Sequence, residues 1–260
     1  MDKGGRSTDF TNVYEDPKRA AAYSKLELPG TYYLAFRDLP RIMTTHVNGT
    51  SALDFGCGTG RSTRFLQRLG FTTVGIDISR EMLEKARELD PKGDYRLTAN
   101  DDYSQLPLEA FDLILSAFTF DNIPTLRRKV EILAGLKDLM NQGCRLVNLV
   151  SSPEIYVHEW ASFSTKDFPE NKHAKSGDKM RIIQTDTADK RPVTDILWTP
   201  EHYLETYSQA GLAVVEAYKP LAMETEPYKW VNETRIAPWT TYVLRRGKTV
   251  VIGATDRKSG

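Results

Sequence analysis

From Ser51 onward the chain alternates short apolar runs with stretches in which apolar residues recur at helical spacing. The runs Ala52 to Phe55, Thr73 to Asp77, Asp94 to Leu97, Phe111 to Ala117 and Arg145 to Val150 read as strands bounded by turn residues. Between them lie a helix running to Leu69, a helix from Ser79 to Leu89, and a helix whose apolar stripe is Leu126, Val130, Leu133 and Met140. Gly143 is expected to cap the last of these, because glycine takes the left-handed conformation without penalty. This alternation predicts an α/β fold, a parallel sheet built by right-handed crossovers.

Two further helices are expected ahead of the sheet, around Lys18 to Leu26 and Tyr32 to Thr45, separated by the breaker pair Pro29-Gly30. After the fifth strand the alternation lapses from Ser151 to Trp198, a polar and aromatic stretch too long for an ordinary connection and expected to be a lid or binding segment. Within it Lys166 to Lys190 reads as a solvated excursion that includes a strand at Met180 to Gln184. Thr199 then offers a helix cap, with Pro200 at the first helical position and Gly211 beyond the end, and Leu212 to Tyr218 and Thr240 to Leu244 read as two more strands. The tail after Arg246 is expected to fray.

Charge and composition narrow the partners. With 35 basic and 35 acidic side chains in 260 residues, nothing in the overall charge would grip nucleic acid or an anionic membrane, so a small solute is the expected partner. Cys57 and Cys144 are too few for a disulfide framework and stand in no metal-ligand pattern, so no metal is expected and a reducing, cytoplasmic setting fits. Met1 to Phe10 lack the apolar core of a signal peptide, and no run approaches the roughly 18 apolar residues of a membrane span.

The most informative segment is Leu53-Asp54-Phe55-Gly56-Cys57-Gly58-Thr59-Gly60, a strand entering a glycine turn that opens a helix. Glycines there let backbone approach a ligand closely. Seventeen residues after Gly60, Asp77 ends the second strand, where a carboxylate can accept both hydroxyls of a ribose. That geometry suits a dinucleotide equally well. Position 63 is Thr, however, so the third glycine of Gly-x-Gly-x-x-Gly is missing and a pyrophosphate fits poorly.

The pattern Asp54-x-Gly56-x-Gly58-x-Gly60 instead resembles the first motif of class I, Rossmann-like S-adenosylmethionine-dependent methyltransferases, and the resemblance extends over about residues 50 to 247. It implies a doubly wound seven-stranded sheet of strand order 3-2-1-4-5-7-6 with the last strand antiparallel. It also implies N-terminal lid helices within 1–49, an acceptor-covering insertion at 151–198 after the fifth strand, and a flexible tail at 248–260. Carried over by position, Asp54, Gly56, Gly58 and Gly60 would cradle the methionine and ribose, Asp77 would take the ribose hydroxyls, and Ile78 would stack on the adenine. In Asn100 to Pro107, similar to the family's acidic loop, Asp102 would accept from the adenine amino group and Tyr103 flank the ring. Ala117 and Phe118, at the tip of the fourth strand, would lie beside the sulfonium, while Asp112 on that strand reads as structural.

Methyl transfer from a sulfonium is an in-line displacement, so alignment and exclusion of water matter more than a base. The fourth strand ends in Ser116-Ala117-Phe118-Thr119 and lacks the Asn/Asp-Pro-Pro-aromatic tetrapeptide seen in enzymes of adenine and glutamine amides. The Pro-Cys nucleophile of cytosine C5 enzymes and the thiol cluster of arsenic enzymes are also missing. A small-molecule oxygen or nitrogen acceptor is left, with a carbon acceptor, a non-catalytic S-adenosylmethionine-binding regulator and a nicotinamide dehydrogenase as alternatives.

Candidate catalytic residues are His158 and Glu159 after the fifth strand, either as base or as hydrogen-bonded loop residues, and Asp121, either orienting the acceptor or capping the helix that starts near Pro124. His46, His173 and His202 read as surface residues. Tyr32, Tyr33, Trp160, Phe163, Trp198 and Trp230 are either pocket wall or plain core. In the N-terminal segment Tyr14, Tyr23, Tyr33 and Arg37 either close over the cofactor, with Arg37 pairing the methionine carboxylate, or simply pack.

Overall fold

A computed structural model describes residues 29–98 and 102–247. The expected helix at Lys18 to Leu26, Tyr14, Tyr23 and the 248–260 tail lie outside the described residues. The described chain opens with α1 (Thr31–Arg37) and α2 (Leu39–His46), followed by β1 (Ser51–Phe55), α3 (Arg61–Arg68), β2 (Thr72–Asp77), α4 (Arg80–Leu89), β3 (Asp94–Leu97) and β4 (Phe111–Ala117). After a single 3₁₀ turn at Thr119–Asn122 come α5 (Leu126–Leu139), β5 (Met140–Ser151), the short strands β6 (Phe163–Ser164), β7 (Lys179–Gln184) and β8 (Val193–Ile196), then α6 (Pro200–Gln209), β9 (Leu212–Tyr218) and β10 (Trp239–Arg246).

Seven strands form one sheet in the order β3-β2-β1-β4-β5-β10-β9, which is the order implied by the family resemblance once β6, β7 and β8 are set apart as a second, three-stranded sheet. The first five strands of the large sheet are parallel, and β10 runs antiparallel to both β5 and β9. Leu113, Leu115, Val147 and Leu149 face one layer, with Phe36, Leu39 and Ile42 of the first two helices. Ile114, Leu146 and Val150 face the other, with Leu133, Leu136 and Tyr207. Residues alternate between the layers because strand side chains have a period of two.

Several expectations change. The helix expected over Tyr32 to Thr45 is two helices broken at Asp38, since Pro40 has no N–H to continue the ladder to the Phe36 carbonyl and is instead accommodated in the first turn of the second helix. Gly143 caps nothing. The chain turns directly from α5 into β5 at Met140, and Gly143 lies inside the strand. Asp121 does not cap α5 either, because Thr125 holds that position and accepts from the Arg128 N–H at 3.1 Å. Thr199 does precede α6, but its hydroxyl bonds His202 Nδ1 at 3.0 Å instead of a backbone N–H. His46, expected at the surface, is half-buried and bonds the Tyr218 hydroxyl at 2.7 Å. Asp112 is structural as expected, accepting from the Ser51 N–H and the Asn141 amide at the bottom of β1. Among the described residues no helix is long and apolar enough to cross a membrane.

Candidate functional site

At the carboxyl end of β1 the chain makes a compact turn in which Gly56, Gly58 and Gly60 all have positive φ, at 68°, 54° and 77°. The Gly56 and Cys57 N–H groups both donate to the Ile76 carbonyl at 2.9 Å, tying the turn to β2. A side chain at Gly56 would meet two obstacles together. Its Cβ would lie 2.2 Å from Thr119 Oγ1, and the left-handed backbone disfavours any L-residue. The turn therefore keeps its backbone bare at the place where the strand tips of such sheets take ligands.

Two carboxylates flank this turn. Asp54, wholly buried, accepts from Ser62 Oγ at 2.7 Å and Thr63 Oγ1 at 2.6 Å on one oxygen, and its other oxygen has no hydrogen-bond partner among the described residues. Burial pushes its carboxyl up to about 6, against the two hydroxyls. Asp77 accepts from the Gly58 and Ser79 N–H groups, both at 2.8 Å, and burial raises its carboxyl in spite of these bonds. A carboxylate oxygen has lone pairs for more than one donor, so Asp77 retains capacity for hydroxyls. Ile78 next to it is half exposed, at 50%, an apolar surface free to take a flat ring. A bare glycine turn, a buried acid with one oxygen lacking a donor among the described residues, and an exposed Ile beside a strand-end carboxylate fit a nucleoside that carries an ammonium group.

The acidic loop is only partly described, because residues 99–101 lie outside the described set. Asp102 is exposed and accepts from the Ser104 N–H at 2.9 Å, which lowers its carboxyl. The Tyr103 ring leans on Phe55 at 6.5 Å and covers Gly135 of α5.

A cavity of about 420 Å³, counting the open solvent at its mouth, lies near the turn. The tip of β4 borders it. Ala117 ends that strand, and Phe118 follows in a left-handed conformation at φ 65°, a strained state for an aromatic residue. That conformation sends the Phe118 ring against Tyr32 at 5.6 Å and Trp239 at 4.8 Å, and all three line the cavity with Phe163. The next residue, Thr119, points the other way and bonds the Phe55 carbonyl at 3.1 Å, beside Gly56. Turn and cavity are thus neighbours across two consecutive residues.

Asp121 belongs to the cavity wall, 3% exposed, and its two oxygens accept from the Ser151 N–H, the Ser151 hydroxyl and the Tyr203 hydroxyl. Burial pushes it up to about 6, opposed by Ser151 and by the charge of Lys129. Lys129 is itself wholly buried, donates to the Phe120 carbonyl, and has its ammonium 5.0 Å from the ring centres of Trp198 and Tyr203. Across the cavity, Asp195 of β8 accepts from the Tyr156 hydroxyl at 3.1 Å, and burial together with the Asp121 charge pushes it up to about 7.

The remaining expected residues lie elsewhere. His158 turns its ring edge to Trp160 at 6.2 Å, and Glu159 accepts from the Thr165 N–H and hydroxyl, bonds that lower its carboxyl against its burial; neither lines the cavity. Tyr33 stacks toward Tyr228 at 5.0 Å, outside the cavity, whereas its neighbour Tyr32 is inside. Arg37, expected either to pair a ligand carboxylate or simply to pack, is bound to Asp38, to Glu226 at 2.7 Å and to the Leu221 carbonyl. Tyr156 belongs to the segment Ser151 to Trp160 from which acceptor contacts were expected, whereas Gln184, Asp195 and Trp239 escaped sequence reasoning as wall residues. The only signal for Asp195 was a lone acid in an apolar four-residue run, Val193-Thr194-Asp195-Ile196.

Behind the wall a buried network fixes the roof. Glu233 accepts from Thr31 Oγ1 and the Ala161 N–H at 2.7 Å each, and from the Val231 and Asn232 N–H groups. Thr31 and Ser162 exchange two further bonds, and Trp239 Nε1 donates to the Thr31 carbonyl at 2.7 Å.

Comparison with known proteins places this geometry in context. Residues 53–146 match a family model described as a methyltransferase domain. An uncharacterized methyltransferase of Geobacillus sp. (strain WCH70) is 37% identical over 143 residues, 54% of this chain and 66% of that one. A demethylmenaquinone methyltransferase of Tropheryma whipplei (strain Twist) is 36% identical over 102 residues, 38% of this chain and 41% of that one. The chain therefore matches less than two thirds of the length of either relative. Among solved structures, the CcbJ methyltransferase of Streptomyces caelestis superposes with a TM-score of 0.61 at 16% identity, over 92% of this chain and 99% of that one. An S-adenosylmethionine-dependent methyltransferase of Mesorhizobium loti gives a TM-score of 0.56 at 19% identity, over 82% and 98%.

Proposed function

This chain carries a methyltransferase domain of the class I, Rossmann-like kind, and on that premise we propose that it transfers the methyl group of S-adenosylmethionine to an oxygen or nitrogen of a small molecule seated in the Phe118, Asp121 and Asp195 cavity. The observation that carries this reading is the adjacency of Phe118 and Thr119, one facing the cavity and the other the glycine turn. An in-line displacement needs its two partners held at one junction with water kept out. When bound, the cofactor supplies an electrophilic methyl group with a neutral thioether as leaving group. The chain's residues hold and align: Asp54, Asp77 and the glycine backbone on the cofactor side, Tyr32, Phe163 and Trp239 excluding water on the acceptor side.

In this reading Asp121 is a positioning residue. Its oxygens are taken up by Ser151 and Tyr203, so it clamps the end of β4 to the end of β5 and keeps Phe118 in place. The first two helices and the segment with β6 to β8 serve as the cover of the acceptor, since Tyr32, Phe163, Ile182 and Asp195 all reach the cavity from them. Balanced charge over the whole chain supports a small acceptor over a polyanion.

Calorimetric titration with S-adenosylhomocysteine, S-adenosylmethionine and NAD tests the reading. The expected result is tight binding of the two adenosyl ligands, weakened about 30-fold or more in Asp77→Ala, where the Gly58 and Ser79 N–H groups and a ribose hydroxyl lose their acceptor. Binding of NAD, or of none of the three, would overturn it.

A further inference from the structure

We propose, resting on the methyltransferase reading above, that the acceptor is a cationic amine, recognised by Asp195 and Tyr156 against the aromatic wall of Tyr32, Phe118 and Trp239. The charges around the cavity point there first. Two carboxylates line it, and no lysine, arginine or histidine does among the described residues. Asp121 is compensated from behind by Lys129 and by three hydrogen bonds from Ser151 and a fourth from Tyr203. Asp195 receives a single hydrogen bond among the described residues, from a neutral hydroxyl, and faces the like charge of Asp121. Asp195 is half-buried on the cavity wall, so a ligand seated there strips water from its carboxylate, and that is costly unless the ligand brings a positive charge.

The rest of the wall agrees. Asp195 and Val193 leave β8 on one face, paired with Met180 and Ile182 of β7, so the acid is set in an apolar surround. Tyr32, Phe118, Tyr156, Phe163 and Trp239 bring aromatic rings into the same space, and ring faces attract a desolvated cation. An anionic acceptor would meet two like charges. A neutral alcohol would leave Asp195 without a counter-charge.

The chemistry balances on these residues. A primary or secondary ammonium gives one N–H proton to the Asp195 carboxylate. Its freed lone pair forms the N–C bond as the methyl C–S bond breaks and that electron pair passes to sulfur. The methylated nitrogen keeps the positive charge, and the proton on Asp195 leaves to solvent.

The test uses the full chain saturated with S-adenosylhomocysteine, titrated calorimetrically with benzylamine, benzyltrimethylammonium and benzyl alcohol. Both cations are expected to bind about tenfold or more tightly than the alcohol, as suits a desolvated charge over aromatic rings. Asp195→Asn, close in shape, is expected to abolish that preference, and Tyr156→Phe to reduce it, with S-adenosylhomocysteine affinity unchanged in both as evidence that they fold. Equal binding of alcohol and cations, no binding of either cation, or a preference that survives in Asp195→Asn would overturn the amine assignment. Loss of S-adenosylhomocysteine binding by the parent chain is a separate outcome, which overturns the methyltransferase reading on which the assignment rests.

Discussion

The glycine turn between β1 and α3 is made of backbone, and the cavity next to it is made of side chains. The turn and its two acids come from one continuous stretch, Asp54 to Asp77, and its working parts are bare N–H and C=O groups exposed by positive φ. The cavity draws on Tyr32, Phe118, Asp121, Phe163, Asp195 and Trp239, spread over most of the described chain. A backbone site tolerates change in side chains that it does not use but not a Cβ in its turn. A side-chain site tolerates conservative change in any one wall but depends on the distant network that holds the walls together. On the proposed assignment, cofactor and acceptor recognition are expected to be separable by mutation.

The sharpest way to break that contrast is Gly56→Val. A Cβ 2.2 Å from Thr119 Oγ1 on a backbone at φ 68° is expected to cost about 3 kcal/mol or more in urea unfolding, and to abolish S-adenosylhomocysteine binding along with the adjoining cavity. Retention of both would mean that the turn is not a close-fitting cradle. Glu233→Gln should act on the roof alone. It sets an amide NH₂ or a weaker acceptor against donors from Thr31, Ala161, Val231 and Asn232, and is expected to lower stability by about 2 kcal/mol with cofactor affinity unchanged. A matching loss of S-adenosylhomocysteine affinity would show that the two halves are not separable.

The smallest expected effect is on pH dependence. Asp195 holds its proton up to about pH 7 in the folded chain, whereas an unfolded aspartate loses it near 4, so the folded state binds more protons across that window. Stability contributed by this group is thus present below about pH 4 and declines as pH rises through 7. Asp54 and Asp121, both pushed up to about 6, act in the same direction. Thermal melting from pH 4 to 7.5 should show a falling midpoint, and Asp195→Asn should flatten it. An unchanged slope would show that Asp195 ionises as an ordinary exposed aspartate.

Much of this architecture is legible along the chain. The strand at Phe111 to Ala117, the strand at Asp94 to Leu97 and the helix ending at Leu89 stand where period and turn residues predicted them. Asp54, the three glycines and Asp77 were legible because each acts through local geometry. The errors fall where a local signal was overruled by packing. Gly143 looked like a helix cap, yet β5 begins at Met140 because the Phe111 edge of β4 pairs there. For Arg37, open along the chain between a ligand and plain packing, the partner Glu226 is remote in sequence and shows only in the fold.

The order of strands and helices and the shape of the glycine turn with its two carboxylates can be read along the chain, since hydrophobic period, glycine conformation and a strand-end carboxylate are properties of neighbouring residues. The cavity proposed for the acceptor is settled by long-range packing. Asp195 acquires its meaning from Asp121 and Tyr156, and Tyr32 rather than Tyr33 enters the cavity because α1 is stitched through Thr31 to Ser162 and Trp239. Which of two adjacent tyrosines or scattered acids meets a ligand depends on long-range packing and on the loss of water around a charge, and neither is written in any short window of the chain.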